Sequence, residues 1–109
     1  MKKNLYQLVL TTCPDSASAE RIARALVTDR LAACVNILPI AQSIYVWKGK
    51  VESAAEQLLL IKSRTRAFGA IEKRVLGLHP YELPELIAVP ITDGLADYLS
   101  WLRNPDKTR

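Results

Sequence analysis

The sequence predicts an α+β fold, a ferredoxin-like split β-α-β sandwich with a long β-hairpin and a short C-terminal helix. Three observations predict it. Strand-like runs alternate with stretches of helical periodicity in the order β-α-β-β-α-β. A long extended segment turns back at Gly49, and prolines 14, 39 and 80 punctuate the ends of elements. The 109 residues, half of them hydrophobic, suit a single domain over residues 1–109. A domain of this size covers its apolar surface incompletely, so self-association is expected.

The first strand is LYQLVLTT, residues 5–12, apolar on both faces near its end as a central strand is, and stopped by Pro14. Asp15 or Ser16 can cap the helix that follows. In it Ala19, Ile22, Ala23 and Leu26 fall on one face, to about Asp29. LAACVNIL, residues 31–38, reads as the second strand and ends at Pro39, and SIYVW, residues 43–47, continues extended. After the turn at Gly49 the chain returns through residues 51–64, most strand-like from Gln57 to Lys62. Thr65 is the expected cap of a second helix whose apolar face is Phe68, Ile71, Val75 and Leu78. Pro80 blocks its continuation and drives His79 toward extended backbone. ELIAVPI, residues 85–91, is the fourth strand, and Asp93 is the expected cap of a last helix carrying Leu95, Tyr98, Leu99 and Leu102 before the polar NPDKTR tail.

The formal charge of +4 is spread along the chain, including a short basic start at residues 1–4, without a dense basic block. An RNA-recognition module needs aromatic residues on its sheet, but the one phenylalanine, Phe68, falls on a helix. No nucleic-acid partner is expected. Residues 5–10 are too short an apolar run for a signal segment, and nothing approaches the ~20 residues of a membrane-spanning helix. Cys13 and Cys34 do not make a disulfide framework. Free thiols in a reducing, cytoplasmic compartment are expected.

The chemistry gathers around LHPYELPEL, residues 78–86, which holds the one histidine of the chain, His79. That residue can be a metal ligand, a catalytic base for Cys13, or a structural residue closing a helix. No glycine-rich oxyanion loop or nucleophile-elbow pattern accompanies Cys13 and His79, so an enzyme is not expected. For metal, His79, Cys13, Cys34, Glu82 and Glu85 are donors of mixed softness. Copper(II) tolerates such sets and binds most tightly in the divalent series. Lys62, Arg64 and Arg66 alternate and can either grip an anion or protect a solvated edge.

The blocks LVLTTCPD, LAACVNILP, SIYVWKGKVE, LLLIKSR, LHPYELPELIAVPI and YLSWL, running in this order from about Leu5 to Leu102, closely resemble the CutA divalent-ion tolerance family. The resemblance implies a compact, PII-like homotrimer whose long hairpins pair with neighbouring subunits. It makes Tyr45 and Trp47 interface residues, and it places Trp47, Lys62, Tyr81 and Glu82 at a cleft between subunits. It implies copper or another divalent metal as ligand, with His79 as the histidine before the Pro-Tyr pair. The family's proposed cysteine position falls on Thr11 here, and Cys13, two residues on, shares its strand face and is the second candidate metal ligand. Cys34 matches a recurrent cysteine expected in the core. A regulatory trimer binding a small anion in its clefts, or a scaffold trimer with indirect metal effects, are the alternatives.

Overall fold

The structure, a computed structural model, describes residues 4–106; the first three residues of the basic start and the last three of the polar tail lie outside the described residues. The elements are β1 (Tyr6–Cys13), α1 (Ser16–Thr28), β2 (Cys34–Trp47), β3 (Lys50–Arg64), α2 (Phe68–Leu78), β4 (Ile87–Ile91) and α3 (Ala96–Arg103), with a single 3-10 turn, Thr65–Ala67, before α2. The four strands form one antiparallel sheet in the order β2-β3-β1-β4. This is the split β-α-β arrangement expected, with the two most buried strands, β3 and β1, in the centre.

Pleating divides the sheet into two faces. Val9, Leu59 and Ile61 turn toward the helices and meet Ile22 and Leu26 of α1 and Ile71 and Val75 of α2, all fully buried. Directly paired residues share the opposite face, where Leu8 pairs with Val89, Leu10 with Ile87 and Leu38 with Leu58. Leu38, Ile87 and Val89 are exposed there, so neither α1 nor α2 covers this apolar face. Beyond Gln57, the partner of Cys13, β3 pairs only with β2. The hairpin thus projects past the rest of the sheet with Ile44, Tyr45, Val46, Trp47 and Val51 exposed.

Local chemistry accounts for the ends. Asp15 caps α1 by accepting the Ser18 N–H at 2.8 Å, and that bond holds its carboxyl below the usual carboxylate range. The hairpin tip is Lys48 at φ 52° and Gly49 at φ 79°, the paired positive angles of a tight two-residue turn whose twist matches its strands.

Several expectations differ. The second strand begins at Cys34 because the N–H groups of Leu31 and Ala32 both bond the Leu26 carbonyl, which closes the end of α1 (2.9 and 3.2 Å). It does not stop at Pro39. The register shifts between Leu38 and Ala41, and an edge strand tolerates a proline at such an irregularity because no ladder N–H is demanded. Thr65 does not cap α2: its hydroxyl bonds the Asn4 carbonyl, and the 3-10 turn runs into the helix with Ala67 already helical. Asp93 does not cap α3 either, since its carboxylate accepts the Gly94 N–H and Leu95 takes the N-cap position. The fourth strand starts at Ile87, two residues after the expected start.

Candidate functional site

The end of α2 delivers His79 to the C-terminal end of β1. Its backbone N–H still bonds the Val75 carbonyl at 2.8 Å, while φ −72° and ψ 135° take the chain out of the helix ahead of Pro80. The residue is only 8% exposed, and both of its ring nitrogens are engaged. Nε2 lies 2.7 Å from the Thr12 carbonyl oxygen, and Nδ1 accepts the Tyr81 N–H at 3.0 Å. A carbonyl can only accept and an N–H can only donate, so the proton sits on Nε2 and the lone pair on Nδ1.

Cys13 is fully buried, with its sulfur 3.8 Å from His79 Nε2. Burial pushes its thiol from 9.0 up to about 11; the bond to the Ser18 side chain works against that shift, and the Asp15 and Glu56 charges add to it. The thiol is therefore protonated at neutral pH, poor both as a nucleophile and as a thiolate ligand. It also faces the protonated nitrogen of the ring. His79 and Cys13 come together, but the lone pair of the imidazole points to the other side, toward Tyr81. Thr11, at the family's cysteine position, is buried and donates to the Glu85 carbonyl at 2.7 Å, tying the loop after α2 to β1.

Tyr81 is the centre of the corner. Its N–H holds Nδ1, its ring lies 5.0 Å from the imidazole, and its hydroxyl donates to Glu56 Oε2 at 2.8 Å. Burial, followed by the Glu56 hydrogen bond, pushes that hydroxyl up to about 12, with Tyr45 close enough to add to the effect. Glu56, on β3, is buried and was not legible in the sequence as a site residue. Its only cue is an acid just before the apolar QLLLI run, and the hydroxyl that bonds it comes from a loop 25 residues away in sequence.

The remaining candidates lie elsewhere. Trp47 stands half-exposed at the hairpin end opposite Lys50, and Glu82 and Glu85 have exposed side chains. Lys62 pairs with Leu8 and Cys34, and its ammonium sits 5.9 Å from the centre of the Tyr98 ring. β3 ends at Arg64, so Arg66 in the 3-10 turn leaves the row that Lys62 and Arg64 begin. Cys34 is half-buried on the face away from α1 and α2, because its position opposite Lys62 fixes its side; it is not in the helix-covered core where it was expected. Both cysteines are free. Among the described residues no three His, Cys, Asp or Glu side chains are grouped to hold a metal ion.

The Cys13 thiol sets a pH dependence. An acid whose folded pKa is raised keeps its proton longer in the folded state, so stability is complete below pH 9 and falls as pH rises toward 11. The loss over that window should be on the order of 2–3 kcal/mol. Urea unfolding at pH 8, 9.5 and 11 should show it in the wild-type chain and not in Cys13→Ala, which keeps only the later loss from Tyr81. Equal slopes in the two chains would contradict the assignment.

A family model described as CutA1 divalent ion tolerance protein matches residues 7–105. The divalent-cation tolerance protein CutA of Thermus thermophilus is 52% identical over 99 residues, which is 91% of this chain and 96% of that protein. Protein CutA 1, chloroplastic, of Oryza sativa is 43% identical over 97 residues, 89% of this chain, which spans only 55% of that longer relative. The solved structure of the Thermus thermophilus divalent cation tolerance protein superposes with a TM-score of 0.89 at 50% identity, covering 91% of this chain and 96% of the other.

Proposed function

The chain belongs to the CutA1 divalent ion tolerance protein family, and from that premise we propose that it is a homotrimeric, cytoplasmic binding protein for divalent metal, copper(II) above all, and not an enzyme. The observation that carries the cation assignment is the Glu56 carboxylate. It is buried, bonded by the Tyr81 hydroxyl, and in no ion pair among the described residues. A buried carboxylate without a countercharge favours a cation beside it.

The donors do not form a ready-made site in the arrangement described. Tyr81 masks two of them at once: its N–H takes the lone pair of His79 Nδ1, and its hydroxyl takes Glu56. The Nε2–H bond to the Thr12 carbonyl is the kind of outer contact that orients an imidazole for a metal at its other nitrogen. His79 would therefore offer Nδ1 to copper(II) once the Tyr81 turn yields, and Cys13 would join only if the ring exchanged its proton between nitrogens. The need to open the turn lowers the apparent affinity by the fraction of molecules that are open.

Assembly is supported by the exposed apolar residues Leu38, Ile87 and Val89 on the sheet face away from α1 and α2 and by the apolar hairpin arm, with Tyr45 and Trp47 as interface residues. Contiguous apolar surface of this kind marks an interaction site. Two free thiols fit a reducing compartment, and among the described residues no helix is long and apolar enough to cross a membrane.

Calorimetric titration of the untagged, metal-free protein with Cu(II) in a weakly coordinating buffer tests the proposal, with light scattering alongside. A saturable isotherm on a trimer is expected. His79→Gln, which can keep hydrogen bonds to its neighbours, should weaken binding about tenfold or more, equivalent to roughly 1.4 kcal/mol. Tyr81→Phe, which releases Glu56, should strengthen it. An isotherm unchanged in His79→Gln would remove the imidazole from the account.

A further inference from the structure

A second cluster of charge lies at the other end of the sheet. Arg30, Arg64 and Arg103 line a cleft of about 140 Å³ together with Asp106. Arg64 pairs with Tyr6, and Cys13 is at the opposite end of β1, so this cleft is about 23 Å along the strand from the His79 corner.

Arg30 has φ 60°, the left-handed conformation that a helix end ordinarily gives to glycine. A long side chain held there costs conformational energy, and such strain persists where the side chain is put to use. Nη1 donates to the Val27 and Thr28 carbonyls at 3.1 and 3.3 Å, which closes the end of α1 and fixes the guanidinium plane. The opposite edge is turned to the Asp106 carboxylate, with Nε at 3.0 Å and Nη2 at 2.9 Å from Oδ1. Nε also reaches Oδ2 at 3.3 Å. An anchored guanidinium presenting two N–H groups is pre-organised for a carboxylate or a phosphate.

The charges do not balance. Asp106 answers Arg30, whereas neither Arg64 nor Arg103 is in an ion pair among the described residues; Arg103 Nε donates to the neutral Tyr6 hydroxyl at 3.3 Å. The pair that occupies the seat is itself open to solvent, with side chains 57% and 63% exposed, and exposed ion pairs are weak enough to exchange.

We propose that this cleft binds a small oxyanion, a carboxylate or phosphate group, and that Asp106 is an internal occupant which the external anion displaces. The site stands apart from the His79 corner, and metal binding can fail without touching it.

Titration of the full-length, untagged chain with inorganic phosphate and separately with succinate, at constant ionic strength against chloride, tests this by following the backbone and Arg Nε–H resonances. Saturable shifts centred on Arg30 are expected for at least one of the two anions, and the one that saturates first identifies the oxyanion. Asp106→Asn removes the competitor and should bind that anion about fivefold or more tighter. Arg30→Gly suits the left-handed backbone, so it should keep or raise the melting temperature while losing saturation. The proposal is overturned if chloride reproduces the shifts, if neither anion saturates, if Asp106→Asn binds no tighter, or if Arg30→Gly binds as well as the wild type.

Discussion

Shortening Ile61 to alanine is expected to lower the free energy of unfolding by about 2–5 kcal/mol. Ile61 lies on the inner strand β3, fully buried, directly opposite Val9 on β1 and Val35 on β2. It belongs to the cluster that Ile22, Leu26, Ile71 and Val75 complete from the helices. Neighbours on two rigid strands cannot collapse into the space left behind, so both the transfer energy and the cavity are lost. Urea unfolding at a fixed protomer concentration should show a lower midpoint with an unchanged slope. A loss under about 1 kcal/mol would mean that the sheet repacks, and that this face is not the close-packed core described.

The second large effect belongs to His79. Alanine in its place leaves the Thr12 carbonyl and the Tyr81 N–H without their partner at a corner where the imidazole is almost fully buried. Unpaired buried polar groups cost about 1–3 kcal/mol each, so His79→Ala should lose roughly 2–4 kcal/mol. His79→Gln, with both a donor and an acceptor, should recover a large part of that. If the two variants unfold alike, the ring contributes packing only, and the assigned hydrogen-bond roles are wrong. The structural and metal-binding roles of His79 share the Nε2–H bond to the Thr12 carbonyl but compete for Nδ1, which the Tyr81 N–H must release before a metal can use it.

The order of elements was legible because it depends on local rules. Periodicity placed α1 on Ile22 and Leu26, Gly49 placed the hairpin tip, and Pro80 ended α2 at His79. What the sequence did not reveal depends on distant partners. Pro39 reads as a stop until β2 is known to be an edge strand with a shifted register. Thr65 reads as a cap until Asn4 is known to take its hydroxyl. Cys34 reads as a core thiol until its pairing with Lys62 places it on the other face. At the site, His79, Cys13 and Tyr81 could be named from one motif and one strand end. Glu56 could not, since its partner Tyr81 reaches it from a loop distant in sequence. Nor can any sequence show which nitrogen of His79 carries the proton; the Thr12 carbonyl and the Tyr81 N–H decide it.

The most direct test of the cation assignment uses the fact that the chain has a single histidine. Pulsed electron paramagnetic resonance of the Cu(II)-loaded, untagged protein detects the remote nitrogen of a coordinated imidazole. Coordination through Nδ1 leaves Nε2–H as that remote nitrogen. Coupling from one imidazole per bound copper is expected in the wild-type protein, and none in His79→Gln. A wild-type spectrum without imidazole coupling, or one that His79→Gln reproduces, would contradict it.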